Sequence, residues 1–178
     1  MRMTQVYIGI GSNIDKEKNI NGSLISLRNY FGKINVSPIY QSKAVGMDGD
    51  DFYNLVVQFE TNMGIEILES KLREIEYQFG RKRNQAPHTS RTLDIDLLLF
   101  GNLVSKKHNI PRDDITDYSF VLKPLCDVEP DLIHPIMGKT MRVLWGKFDS
   151  SKQPIIPLEN NIHGECIDFF HKRDKRNM

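Results

Sequence analysis

The spacing of the apolar residues changes from strand-like to helix-like and back along the chain, and this alternation limits the folds that the chain can adopt. Val6, Ile8 and Ile10 alternate with other residues, which predicts a first strand over about residues 4–10. Apolar residues three and four apart then predict a helix over residues 16–31. A strand followed by an amphipathic helix is therefore the first structural unit.

The same alternation continues in the next part of the chain. Residues 34–40 predict a second strand that Pro38 makes irregular, because proline has no N–H to donate to a neighbouring strand. Residues 52–60 predict a third strand and residues 92–100 a fourth. The helix between these two strands has its apolar positions at Ile65, Leu68, Leu72, Ile75 and Phe79. The order βαββαβ predicts an α+β fold of the ferredoxin-like type, an antiparallel sheet with helices packed on it.

The chain beyond Gly101 is less regularly patterned. Short helices are predicted near residues 118–122 and 141–148, as C-terminal additions to the core. The 178 residues are the length of one domain, since domains commonly hold roughly 100–200 residues. We therefore expect a single domain over residues 1–160 and a polar C-terminal tail over residues 161–178.

The charges of the chain nearly cancel, because 24 Lys and Arg face 23 Asp and Glu. Such a balance provides no overall positive field for a nucleic-acid backbone, so no nucleic-acid partner is predicted. The longest apolar run, IDLLLF, is far shorter than the roughly 20 residues of a membrane-spanning helix, so no membrane segment is predicted. Cys126 and Cys166 form no C-x-x-C pair, which favours a reducing compartment and a cytoplasmic location.

Two aspartates stand in the predicted fourth strand. Asp94 and Asp96 are two positions apart, so their side chains point to the same face with Cα atoms roughly 7 Å apart. Two carboxylates among leucines repel each other and lose hydration unless cations neutralise them. Mg²⁺ binds carboxylate oxygens together with substrate phosphates and is the cation predicted here. Taken alone, such a pair is more often a solvated strand end.

Basic residues cluster immediately before this strand. Arg81, Lys82, Arg83 and Arg91 lie within eleven residues, and no acidic residue occurs among them. Guanidinium groups match the geometry of phosphate oxygens, and positive charge stabilises a transferring phosphoryl group. A basic loop beside a metal-binding carboxylate pair therefore favours phosphoryl transfer from a polyphosphate.

The common nucleotide-binding motifs are incomplete. Gly138-Lys139-Thr140 resembles the end of a phosphate-binding loop, but Ile133 occupies the position that must be glycine, so a turn entering the last helix is predicted. Gly9-x-Gly11 lacks the third glycine and the parallel βαβ unit of a dinucleotide-binding fold. Neither of these nucleotide folds is predicted.

Two other functions stay open on these residues. A ferredoxin-like sheet can be an RNA-binding platform, although the third strand lacks the aromatic motif of that class. A metal-dependent hydrolase could use the same aspartates. Salt-sensitive RNA binding would indicate the platform, and release of inorganic phosphate would indicate the hydrolase.

Five segments together resemble the 6-hydroxymethyl-7,8-dihydropterin pyrophosphokinase family. The resemblance extends over about residues 3–148, and the segment RTLDIDLLLFG is highly specific. The segments are Gly11-Ser12-Asn13, Phe52-Tyr53-Asn54, Gly80-Arg81-x-Arg83, Arg91-Thr92-Leu93-Asp94-Ile95-Asp96-Leu97 and Phe120-Val121-Leu122-x-Pro124-Leu125. The resemblance implies a ferredoxin-like enzyme that transfers diphosphate from ATP to the hydroxymethyl oxygen of the pterin and releases AMP, on the route to folate.

The resemblance also implies catalytic and nucleotide-binding roles. Asp94 and Asp96 would hold two Mg²⁺ ions that bridge the ATP phosphates. Arg81 and Arg91 would contact the phosphates and stabilise the charge of the transition state. The residues implied in ATP binding are Glu76, Arg81, Arg83, Arg91, Ile95 and Arg112.

On the pterin side, the resemblance implies that Phe52 and Phe120 sandwich the ring. The polar edge of the ring would be bound by Asn54, Ser42 and the backbone at Val45. The expected protein is a monomer with ATP and the pterin as its partners. Among the departures from the family, Arg112 stands where histidine is common after a proline, and Tyr118 replaces an arginine of some relatives.

Overall fold

The computed structural model describes residues 2–44, 49–81 and 92–158, and its elements follow the predicted order before further elements are added. The strands are β1 (Thr4–Ser12), β2 (Ile34–Val36), β3 (Tyr40–Ser42), β4 (Phe52–Thr61), β5 (Asp94–Phe100) and β6 (Ile155–Pro157). The helices are α1 (Lys16–Phe31), α2 (Ile65–Gln78), α3 (Asp114–Asp117), α4 (Ser119–Val128) and α5 (Met141–Lys147), and a 3₁₀ turn spans Ser150–Lys152. The predicted tail, residues 161–178, lies outside the described residues. Within the described ranges, none of the helices has the length and apolar character needed to cross a bilayer.

The strands form one antiparallel sheet in the order β5-β1-β4-β3-β6, and β2 also pairs with β4. β1 therefore lies between the two long partners β4 and β5. Gly11 of β1 pairs with Asn54 on one side and with Asp94 on the other. This topology confirms the prediction of an α+β, ferredoxin-like core.

The predicted second strand is interrupted at Ser37 and Pro38, and its two halves are β2 and β3. The pairing register with β4 shifts by one residue across the interruption. Ser37 bonds to Val56 twice: its N–H donates to the Val56 carbonyl at 2.9 Å, and its Oγ accepts from the Val56 N–H at 2.8 Å. Pro38, which has no N–H, thus stands where regular pairing stops, as the sequence predicts.

Helices α1 and α2 cover one face of the sheet. The core between them and the strands includes the buried side chains of Ile8, Leu27, Phe59, Leu68 and Ile75. The two helices approach closely at Gly22, where a β-carbon would lie 2.3 Å from the ring of Phe79. α2 is followed by Gly80 with a φ of 90°, the left-handed conformation that glycine adopts at helix ends.

Helices α4 and α5 cover the opposite face, so the sheet lies between two helical layers. Tyr7, Val56 and Leu98 of the sheet are buried with residues of these helices. α4 extends past residue 122, where the predicted helix ended, because burial of its apolar side chains outweighs the missing hydrogen bond of Pro124. α5 begins after Thr140, whose side chain accepts from the Val143 N–H, and Gly138-Lys139-Thr140 is the predicted turn.

Candidate active site

Asp94 and Asp96 lie in β5 on the face of the sheet that α4 covers. They pair with Gly11 and Gly9 of β1, so no side chain of β1 stands directly beside either carboxylate. A β-carbon at Gly11 would lie 3.3 Å from Asn54 Oδ1 and 3.7 Å from the Phe52 ring. The side chains of Asn54 and Phe52 therefore lie on one side of the strip of β1 around Gly11. The two aspartates of β5 lie on the other side of this strip.

Arg81 joins Asp94 to a buried glutamate of α2. Its Nη1 lies 3.1 Å from Asp94 Oδ1 and 2.6 Å from Glu76 Oε1. The Glu76 side chain is only 4% exposed, and it accepts a hydrogen bond from the Ile95 N–H at 2.7 Å. Because β5 is an edge strand, this bond satisfies a backbone N–H that no strand pairs. Glu76 and Ile95, both predicted to bind ATP, thus bond to each other and position Arg81.

Arg112 is the counterpart of Arg81 at the second aspartate. Its Nη2 lies 3.4 Å from Asp96 Oδ1, and its Nε donates to Asp114 Oδ2 at 3.0 Å. The Arg112 N–H also donates to the Leu98 carbonyl of β5 at 3.1 Å. The sequence analysis missed Asp114, although an acidic residue two positions after an arginine was a signal for such a pair.

The cluster carries more negative than positive charge among the described residues. Glu76, Asp94, Asp96 and Asp114 meet only two guanidinium groups. Burial and the neighbouring carboxylate of Asp94 raise the pKa of Asp96 well above its usual range, and Arg112 opposes this shift. Burial also raises the pKa of Glu76 to about 6, against the effects of the Ile95 N–H and Arg81. A cation placed here would relieve this repulsion.

The carboxylate oxygens of Asp94 and Asp96 suit Mg²⁺, which takes its other ligands from water and substrate. They suit less well a metal that is bound by protein side chains alone. No group of three or more His, Cys, Asp or Glu residues able to hold a metal occurs in the described part of the chain. Two carboxylates on one face leave the other coordination positions to water and substrate phosphates, which is the usual arrangement for Mg²⁺. The residues present therefore fit an ion that binds together with ATP.

Three of the predicted pterin-binding residues lie together on β3 and β4. Ser42 pairs with Phe52 across the two strands. Asn54 Nδ2 donates to Ser42 Oγ at 2.8 Å, and both side chains are buried. Because the Asn54 amide nitrogen is bound to Ser42, its Oδ1 remains on the Gly11 side as an acceptor.

Phe120 lies on α4, which packs over β3 and β4. Its ring is partly buried and stacks on the ring of Tyr118, with centroids 5.0 Å apart and planes 19° apart. The far end of α4 is attached to the sheet by hydrogen bonds from Tyr40 to Asp127 and from Tyr7 to Glu129. The helix that carries Phe120 is thus held against the sheet face that carries Asp94 and Asn54.

Side chains that follow the first strand also hold the end of the loop that precedes β4, at residues 50 and 51. Lys16 Nζ donates to the Asp51 carbonyl at 2.8 Å and lies 4.6 Å from the centroid of the Tyr53 ring. Asn13 Nδ2 donates to the Asp50 carbonyl at 3.2 Å. The described end of this loop is therefore attached to the segment that follows β1. Val45, Arg83 and Arg91, three further predicted site residues, lie outside the described residues.

Comparison with known proteins identifies related sequences. The chain matches the family described as 7,8-dihydro-6-hydroxymethylpterin-pyrophosphokinase (HPPK) over residues 7–130. It is 31% identical over 144 residues to the 2-amino-4-hydroxy-6-hydroxymethyldihydropteridine pyrophosphokinase of Aquifex aeolicus, and the match covers 79% of this chain and 89% of that protein. The protein of the same name from Haemophilus influenzae is 33% identical over 139 residues, with 75% of this chain and 86% of that protein covered.

A solved structure shows the same fold. Wild-type HPPK-DHPS of Plasmodium falciparum, crystallised with pteroate, superposes with a TM-score of 0.63 at 16% sequence identity. The match covers 82% of this chain but 44% of that longer chain. At this identity the likeness concerns the fold, an antiparallel sheet with helices on it.

Proposed function

Because the chain belongs to the 7,8-dihydro-6-hydroxymethylpterin-pyrophosphokinase family, we propose that the polar cluster around Asp94 and Asp96 is its active site. The enzyme is an ATP-dependent diphosphotransferase of folate biosynthesis. It transfers diphosphate from ATP to the hydroxymethyl group of 6-hydroxymethyl-7,8-dihydropterin. The new bond joins the hydroxymethyl oxygen to the β-phosphorus, and the bond from that phosphorus to the oxygen it shares with the α-phosphorus breaks. AMP leaves with that oxygen, and the hydroxyl proton is released.

Asp94 and Asp96 are the proposed ligands of two Mg²⁺ ions. The bound ions would neutralise phosphate charge and orient the ATP chain. The proposal is supported by the shared face of the two carboxylates, by the glycines opposite them, and by the excess of negative charge in the cluster. Burial and, after it, the charge of Asp94 raise the pKa of Asp96, so a bound cation would favour the ionised form of this carboxyl.

Arg81 and Arg112 are the proposed phosphate-binding groups within the described residues. Each guanidinium lies between an aspartate of the cluster and a second carboxylate, so each is held beside the place where phosphates would bind. Glu76 and Ile95 support Arg81 from behind, which gives both residues an indirect part in ATP binding. Arg83 and Arg91 are assigned to ATP on the family resemblance of their segments. Positioning and charge can supply the catalysis, because phosphoryl transition states are mostly loose.

The pterin is proposed to bind on β3 and β4, beneath α4. Asn54 Oδ1 can accept from a ring N–H, while its bond to Ser42 fixes the amide orientation. Phe52 and Phe120 provide the proposed aromatic walls, and the backbone at Val45 completes the set. The strip beside Gly11 connects this pocket to Asp94, so the hydroxymethyl group would face the phosphates.

The second helical layer argues against an RNA platform. RNA-binding domains of this topology bind bases on the open sheet face, and here α4 and α5 lie on that face. The enzyme is proposed to act without a nucleic-acid or membrane partner, as a monomer in the cytoplasm. Residues 1–160 are the proposed pyrophosphokinase domain, with residues 161–178 as its tail.

The Asp94–Asp96 pair facing two glycines is the observation that carries this proposal. The test is to incubate the protein with ATP, Mg²⁺ and 6-hydroxymethyl-7,8-dihydropterin and to separate the products. AMP and the pterin diphosphate should form in equal amounts, and only when the pterin is present. Nucleotide cleavage that proceeds without the pterin would instead indicate the metal-dependent hydrolase.

A further inference from the structure

Gln153, which directly follows the 3₁₀ turn, is hydrogen-bonded to the connection between α3 and α4. Its Oε1 accepts from the Ser119 N–H at 3.0 Å, and its Nε2 donates to the Asp117 carbonyl at 2.9 Å. Its own carbonyl accepts from Ser119 Oγ at 2.7 Å, and Ser119 is fully buried. Three hydrogen bonds thus hold the residues on both sides of Tyr118.

These bonds replace a cap that α4 lacks. Tyr118, which precedes the helix, is in an extended conformation and makes no side-chain hydrogen bond to the first turn. The first N–H groups of a helix have no partner within the helix and need an acceptor from elsewhere. Gln153 provides that acceptor at Ser119, from a position 34 residues further along the chain. The backbone at the start of α4 is therefore anchored to Gln153.

The backbone held in this way carries the two stacked rings. Tyr118 lies between the two residues that Gln153 binds, and Phe120 follows directly after Ser119. The direction of both rings depends on the backbone at these positions. A rotation at this connection would turn Phe120 and its stacking partner together.

The segment after Gln153 continues to the other side of the proposed pterin pocket. β6 pairs with β3, and Ile155 stands opposite Ser42 in this pairing. The Leu158 N–H then donates to the Ile39 carbonyl at 3.0 Å. Residues 153–158, which we name the strap, therefore connect the start of α4 to the strand that carries Ser42.

We propose that Gln153 is a positioning residue for pterin binding, which fixes Phe120 relative to the Ser42 side of the pocket. The inference rests on the proposed function, in which Phe120 is a wall of that pocket. Gln153 has no direct contact with either substrate in this role. It acts by keeping the aromatic wall in the binding orientation before the ligand arrives, and preorganisation of this kind increases affinity.

The test compares Gln153→Ala with the control Lys152→Ala, a change at the exposed neighbouring residue. Gln153→Ala should raise the KM for the pterin and weaken pterin binding about tenfold, because the wall must then be ordered on binding. The KM for ATP should stay within about twofold, since Asp94, Asp96 and Arg81 are held by other contacts. Equal losses for both substrates, or pterin binding equal to that of Lys152→Ala, would overturn the proposal.

Two further variants separate the role of Gln153 from general instability. Gln153→Glu retains an acceptor for the Ser119 N–H but loses the donor to Asp117, and it should give an intermediate KM for the pterin. Ser119→Ala removes only the hydroxyl that donates to the Gln153 carbonyl. It should raise the pterin KM by a smaller factor than Gln153→Ala does. If neither variant changes the pterin KM, Gln153 has no positioning role.

The variant Phe120→Ala distinguishes this inference from the proposed function. If Phe120→Ala weakens pterin binding and Gln153→Ala does not, the role of Gln153 is wrong and the pocket stands. If Phe120→Ala leaves pterin binding unchanged, the proposed wall is wrong and the role of Gln153 is overturned with it.

Discussion

The carboxylates around Asp94 and Asp96 outnumber the guanidinium groups that contact them, so the cluster has excess negative charge. Each aspartate has one guanidinium within 3.4 Å, and each of those guanidinium groups also serves a second carboxylate. Such a cluster is unfavourable without a further cation, so its presence in β5 points to binding rather than to stability.

Asp94→Asn and Asp96→Asn should each lower kcat/KM by roughly 100-fold or more, because each removes a metal-binding charge. The fold should be retained, since both changes relieve repulsion. Product formation at several Mg²⁺ concentrations and far-ultraviolet circular dichroism provide the measurements. Asp131→Asn, at an exposed aspartate paired with Arg142, is the matched control. Near-normal activity of either active-site variant at ordinary Mg²⁺ would rule out the assignment.

Glu76 should make the stability of the protein depend on pH. Its pKa is raised from 4.5 to about 6, so the folded chain binds this proton more readily than the unfolded chain. The contribution of the group to stability is therefore fully present below pH 4.5 and is lost as the pH rises through about 6. A shift of this size corresponds to about 2 kcal/mol.

The variant Glu76→Gln isolates this effect, because glutamine can still accept from the Ile95 N–H but does not titrate. Urea unfolding from about pH 4 to about pH 7 should show the stability of the wild type, relative to Glu76→Gln, fall by about 2 kcal/mol. Glu74→Gln, on the exposed side of the same helix, controls for loss of one carboxylate. A difference between wild type and Glu76→Gln that does not vary with pH would contradict the role of Glu76.

Among the helices, α1 comes very close to the end of α2 at Gly22. Gly22 lies in α1 against the Phe79 ring at the end of α2, and a β-carbon there would lie 2.3 Å from Cε1 and 2.7 Å from Cζ of the ring. Glycine in the middle of a helix is unfavourable by itself, so its use here reflects packing between the helices. The close approach of α1 to the end of α2 therefore leaves no room for a β-carbon at this position.

Gly22→Ala should destabilise the protein by about 1–3 kcal/mol, because the ring of Phe79 must move out of the core. Gly146→Ala is the matched control in α5, where a β-carbon meets no atom within 4 Å. That change should leave stability unchanged or raise it by up to about 1 kcal/mol, since alanine favours the helix. Urea unfolding of both variants is the measurement. Equal stability of the two variants would show that the helix contact can relax freely.

At the scale of the whole molecule, the proposed pocket is built from distant parts of the chain. The sheet provides Asp94, Asn54 and Ser42, whereas Phe120 is on a helix of the second layer. That layer is held to the sheet by the bonds of Tyr7 and Tyr40 and by the strap. Pterin binding therefore depends on both layers, whereas Asp94 and Asp96 lie on the sheet alone, so a change on α4 should affect the pterin more than ATP.

Phe120→Ala should weaken pterin binding more than ATP binding, by about 1–3 kcal/mol, because a flat ring loses its stacking partner. Calorimetry with the pterin and with a non-hydrolysable ATP analogue separates the two affinities. Leu103→Ala, at an exposed apolar residue outside the cluster, is the control for loss of apolar surface. Equal losses for both ligands together with a large fall in Tm would identify Phe120 as an ordinary core residue.

The sequence by itself determined the local elements and the orientation of neighbouring side chains. The spacing of Ile65, Leu68 and Leu72 predicts α2 because helix geometry places residues three and four apart on one face. Asp94 and Asp96 share a face for the same local reason, since strand side chains alternate. The interruption at Pro38 follows from the missing N–H of proline. The ferredoxin-like order and the carboxylate pair were therefore predictable.

Only the tertiary structure decided which residues support the site. The family resemblance implied Glu76 in ATP binding, but only folding placed it under Ile95 and beside Arg81. Arg112 and Gln153 gained their partners Asp96 and Ser119 in the same way, and β6 pairs with the edge that β3 offers it. Such contacts join residues that are far apart along the chain or on different elements. No periodicity records them, because they depend on how the layers pack and on which buried polar groups then need a partner.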